Sequence, residues 1–178
     1  MDMLTDAQNQ CLSNSVRVMQ TIVGALAAGI LSFFVVAIFV PVEAPPERPL
    51  LASLAIGATL VAIAAAWLVP SLIARNQVAQ IANRGPRQLP TDELGDVGSL
   101  VGAYQTALIV RAAILEGVAF FNLVAFMIER QPMNLVAAGV VGFILLAQVP
   151  TLARLEDWVQ SELLSVVQLR EMRVSDGR

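Results

Sequence analysis

Residues 21–40, TIVGALAAGILSFFVVAIFV, run for twenty positions without a charge. As a helix rising about 1.5 Å per residue they match the roughly 30 Å hydrocarbon layer of a bilayer. Inside that layer no water satisfies backbone amides and carbonyls, so a spanning segment must be a helix or part of a closed barrel. The run exceeds the apolar core of a signal peptide, and Pro45 directly follows the nearest small-residue triplet. An uncleaved membrane helix is therefore expected at 21–40.

The same argument applies three more times. Residues 50–69 form a second uncharged run, 99–129 a third segment with an extension, and 133–149 a fourth. The chain is 57% hydrophobic and 14% charged, outside the range of soluble domains, so these runs dominate its composition. The fold class read from this pattern is all-α: a polytopic membrane protein with four transmembrane helices in two tandem hairpins. A cytoplasmic helical extension is expected at 6–20 and another at 70–84. A linker rich in Pro, Gly and acids is expected at 85–98, and an amphipathic helix at 151–174. All of it reads as one membrane domain over 1–178. In the last helix Leu152, Leu155, Val159, Leu163 and Val166 form one apolar stripe, which suits packing on the rest of the chain.

Orientation follows from the arginines, because all eleven basic residues are Arg. Arg17, Arg75, Arg84, Arg87, Arg154, Arg170, Arg173 and Arg178 lie on the N-terminal side of the expected bundle; Arg48 and Arg130 lie on the other. Short Arg-rich loops stay cytoplasmic, so both termini are expected in the cytoplasm of a bacterial inner-membrane protein. Net charge is −3, without a basic cluster for nucleic acid. There is no His and one Cys, Cys11, which excludes His-based triads, His/Cys zinc sites and an intrachain disulfide. No catalytic residue, metal set or cofactor motif emerges.

Two sequence features organise the interior. The first is an echo: VPSLIAR at 69–75 recurs as VPTLAR at 149–154, and Phe33-Phe34 recurs as Phe120-Phe121. It suggests two parallel hairpins whose even-numbered helices kink at Pro70 and Pro150. The second is the polar content of 105–129, QTALIVRAAILEGVAFFNLVAFMIE. Ionisable groups inside a bilayer are costly and rare, so each is a functional candidate. Arg111, Asn122 and Glu129 share one helix face with Val118; Gln105, Ala112, Glu116 and Leu123 share another. Arg111 can lie near the interface and anchor there. Glu116 is the ion-binding candidate, with Gln148 of the fourth helix expected to hydrogen-bond its carboxyl. Arg111, Asn122 and Gln105 are possible supports. The stripe Ala58, Ala62, Ala66 suits close helix packing, within the chain or between copies.

Gln105-Thr106 followed by Ala112-Ala113-Ile114-Leu115-Glu116-Gly117 resembles the carboxylate-bearing helix of the rotary ATP synthase c subunit over residues 105–129. The resemblance implies that Glu116 is the proton-carrying carboxyl. As a whole the chain resembles uncharacterised four-helix integral membrane proteins of bacteria, a likeness that implies no activity. The expected partners are the lipid bilayer and either further copies or other members of a membrane complex. A structural or assembly role is the leading reading, and proton or ion translocation at Glu116 the alternative.

Overall fold

The computed structural model describes residues 6–41, 50–83 and 95–176, with side chains as far as Met172. The proline-rich stretch 41–49, expected as a loop, lies outside the described residues from 42 on, as does most of the linker expected at 85–98. All described secondary structure is α-helical: α1 (Asp6–Phe39), α2 (Leu50–Asn83), α3 (Gly95–Glu129), α4 (Pro132–Ala147) and α5 (Leu152–Asp176). Helices α1, α2 and α3 are each long and apolar enough to cross a membrane, and α4 counted with α5 gives a fourth candidate. These lengths and compositions are those of a multi-pass membrane protein.

Element boundaries follow local chemistry. Asp6 places an acid in the first turn of α1, where the partial positive charge of the helix favours it. Helix α3 begins at Gly95, so the linker is shorter than 85–98 by its last four residues; Gly95 itself sits at φ +45, a conformation glycine adopts without strain. At the other end Arg130 takes φ 52 and closes α3 by donating its N–H to the Phe126 carbonyl at 2.8 Å. Pro132 then opens α4, where its missing N–H costs nothing. The two internal prolines behave differently. Helix α2 continues through Pro70, whereas α4 stops at Ala147 and α5 starts at Leu152, so Pro150 lies in a break and not in a kinked helix.

The helices pack as two compact units. The first comprises the described parts of Met1–Gln20, Pro70–Leu108 and Pro150–Arg178, largely the segments read from sequence as extensions and amphipathic tail. Its core is aliphatic: Leu12, Val16 and Met19 of α1, Ile81 of α2, Leu100 of α3, and Leu155, Val159 and Val166 of α5 are buried. The tail stripe is thus packed on the chain itself, except that Leu152 is exposed and Leu163 half-buried. Tyr104 and Trp158 meet at 5.2 Å, and Gln20 donates to the Pro150 carbonyl at 2.9 Å. Arg170 of α5 pairs with Asp96 through two bonds, 2.7 and 3.2 Å, and reaches the Ile81 carbonyl at 3.2 Å. One guanidinium thereby joins the last turn of α2 to the first turn of α3.

The second unit comprises Thr21–Val69 and Ile109–Val149. Its buried face on α2 is small: Ala52, Ala55, Thr59 and Ala66. Lipid tails are as apolar as leucine, so helices in a bilayer gain by close backbone approach, which small residues permit. Larger side chains fill the centre from α3 and α4, with Leu115, Leu123, Val141 and Leu145 at or below 1% exposure. Of the alanine stripe, Ala66 is buried and Ala58 and Ala62 are half-buried.

Candidate functional site

Arg111, Asn122 and Glu129 of the second unit form a polar seam along the contact of α2 with α3. Three residues of α3 face α2 in turn. Arg111 donates from Nε to the Ala66 carbonyl at 2.9 Å, with its guanidinium 4.8 Å from the centre of the Trp67 ring. Asn122, fully buried, donates from Nδ2 to Thr59 Oγ1 at 2.7 Å and to the Val118 carbonyl at 2.8 Å. Glu129, 4% exposed, accepts from the Leu51 amide at 2.8 Å and the Ala52 amide at 2.7 Å. On α2 the contacts recur every seven residues, at 66, 59 and 52. On α3 the intervals are eleven and seven. The extra four residues amount to about 6 Å of helix, a gap that the length of an arginine side chain spans.

The bonds of Glu129, Arg130 and Arg111 each answer a defect in the backbone. The first amides of a helix have no partner within it, and Glu129 supplies a carboxylate to two of them at the N-terminus of α2, where negative charge is favoured. Its neighbour Arg130 does the reverse for α1, donating to the carbonyls of Ala37, at 3.1 Å, and Val40. Two consecutive residues thus complement the opposite dipole ends of two helices. Such charge-assisted bonds contribute about 1.5–3 kcal/mol each when buried, against roughly 1–2 kcal/mol for the left-handed backbone of Arg130. Arg111 corrects a third defect. Ala66 lies four residues before Pro70, so its carbonyl has no helical N–H to accept, and the Arg111 side chain provides the donor. Asn122 leaves its Oδ1 without a partner.

Glu116 stands apart from the seam. It is half-buried, and its Oε1 is 3.8 Å from where a Cβ on Gly29 would lie. Beside it Phe33 and Phe120 stack edge to face, 5.3 Å apart. Among the described residues no hydrogen bond or ion pair reaches Glu116. The expected bond from Gln148 is not formed: Gln148 caps the C-terminus of α4, and neither of its buried amide atoms has a hydrogen-bond partner. The reason is the break at Pro150, since the end of α4 places residue 148 in a cap conformation, φ −94 and ψ 5, instead of on a helix face. Gln105 is half-buried and belongs to the first unit. Asn134 in the first turn of α4 is fully buried with both amide atoms unpartnered. Among the described residues no group of three acidic, His or Cys side chains is placed to hold a metal.

Sequence reasoning put the weight on Glu116 and Gln148, whereas the seam runs through Arg111, Asn122 and Glu129. A signal for it was present: these three share a helix face, and Pro70 removes the donor to one carbonyl of a neighbouring span. From sequence Glu129 reads as part of that face and not as a helix cap, because its partners are main-chain amides, which leave no mark in a side-chain pattern. Compared with protein-family models, curated proteins and solved structures, the chain matches none of them.

Proposed function

We propose that this chain is a structural or assembly component of a membrane complex, seated in a bacterial inner membrane with both termini in the cytoplasm. The observation that carries this reading is where the polar side chains go. Arg111, Asn122, Glu129 and Arg130 bind main-chain groups or each other's helices, holding α1, α2 and α3 in register. A protein whose rare intramembrane polar groups serve its own framework is suited to scaffolding. The test is purification of the full chain from its native membranes in mild detergent. A stoichiometric companion protein is expected; a monodisperse species containing this chain alone would overturn the reading.

Proton or ion translocation at Glu116 is the second reading. It is favoured by one observation, that among the described residues no hydrogen bond or ion pair reaches the Glu116 carboxyl, and by the local resemblance to the proton-carrying helix of the rotary ATP synthase c subunit. Reconstituted into proteoliposomes with a pH-sensitive dye inside, the chain would then conduct protons, and Glu116→Gln would abolish the flux. Absence of flux, or flux unchanged in the variant, removes this reading.

A further inference from the structure

We infer that Glu116 marks a docking face for the transmembrane helix of a different polypeptide, one that carries an Arg or Lys within its span. The inference rests on the assembly reading above and names the partner and its contact. Three observations support it. The carboxyl is half-buried, sits within a helix apolar enough to cross a membrane, and has no hydrogen bond or ion pair among the described residues. An ionised side chain in a bilayer is strongly disfavoured unless it is paired, so a cation supplied by another helix would stabilise the Glu116 carboxylate. The surface beside it has room for a helix. Ala113 and Gly117 are exposed one turn apart, and a Cβ on Gly117 would meet no heavy atom within 4 Å, so a second backbone can approach closely there. The strip continues through Phe121 and Val124, both exposed.

The described residues of the second unit offer no uncommitted cation from a second copy held in the same fold. Among the described residues of the second unit the basic side chains are Arg111 and Arg130. Arg111 is bound to the Ala66 carbonyl and stacked on Trp67, and Arg130 is bound to the end of α1. Among the described residues, charge complementarity therefore favours a foreign helix over self-association.

The test uses the full chain in its native membranes, with a photoreactive amino acid placed at Phe121 or Val124, and at Leu60, exposed on α2, as control. The expected result is an adduct from 121 and 124, and none from 60. Its cross-linked peptide is an apolar segment containing Arg or Lys. Glu116→Lys is expected to cut the adduct roughly tenfold or more by placing like charges together, and Glu116→Gln to cut it less. Gly117→Leu, which fills the open position without changing charge, is expected to reduce it as well. All three variants are checked for an unchanged elution profile and thermal midpoint. An adduct between two copies, a peptide without a basic residue, or an adduct insensitive to both Glu116→Lys and Gly117→Leu would overturn the inference. A companion that still co-purifies but cross-links only from Leu60 would overturn this docking face and leave the assembly reading standing. Absence of any companion would remove both.

Discussion

Pro70 and Pro150 stand in nearly the same sequence, VPSL and VPTL, yet the chain passes through one as helix and stops before the other. In each case the proline deprives the carbonyl four residues earlier of its helical donor. For Pro70 that carbonyl is Ala66, and the Arg111 side chain from α3 supplies the missing N–H. For Pro150 it is Leu146, and the donor is the main-chain amide of Val149 at 3.2 Å, with Gln148 bonding Leu145 at 3.1 Å. A side-chain donor leaves the backbone free to continue the helix. A main-chain donor three residues on tightens the last turn and ends it. The Pro150 carbonyl is in turn held by Gln20 of α1. What a proline does to a helix is therefore decided by who satisfies the orphaned carbonyl, and that donor need not be local.

The comparison can be broken most forcefully at Arg111. Arg111→Leu leaves the Ala66 carbonyl without a donor and removes the stack on Trp67, and is expected to lower unfolding stability in detergent by about 2–3 kcal/mol. In a Pro70→Ala background the helix recovers its own N–H, so the same substitution is expected to cost about 1–2 kcal/mol less. Equal costs in the two backgrounds would show that Arg111 and Pro70 are not coupled. On the other side Gln20→Ala removes one bond to the Pro150 carbonyl and is expected to cost about 1 kcal/mol. The comparison is sharpened by restoring the amides themselves. Pro150→Ala should raise hydrogen-exchange protection at residues 148–151 as α4 lengthens. Pro70→Ala should leave protection near residue 66 unchanged, because α2 is already helical there. The smallest effect is expected for Gln148→Leu. It removes an amide with no hydrogen bond and should leave stability unchanged or raise it by up to about 1 kcal/mol, read from the same unfolding midpoint.

Much of the architecture was legible from period and length. Uncharged runs of some twenty residues placed α1 and α2, and of the five-residue stripe expected on α5, Leu155, Val159 and Val166 are buried, Leu163 is half-buried and Leu152 is exposed. The candidate site was legible only in part. The face shared by Arg111, Asn122 and Glu129 could be read from helical spacing, but its importance could not, because two of the three bind main-chain groups of α2. The pairing of Glu116 with Gln148 failed for a related reason: it assumed that residue 148 stood on a helix, and the break before Pro150 removed it from that face.

The two clamps make the same point at the helix ends. Nothing in the order of residues says that Arg170 joins the last turn of α2 to Asp96, or that Glu129 and Arg130 cap α2 and α1. What the sequence determined was which segments are helical and which of them suit a bilayer, since both depend on composition within a single run. Only the tertiary structure decided which backbone groups were left without partners and which side chains reached them. The Ala66 carbonyl and Arg111 are 45 residues apart, and Ala52 and Glu129 are 77. Bonds across such separations depend on how helices pack, and packing of apolar helices in an apolar solvent is set by contact geometry that no periodicity records.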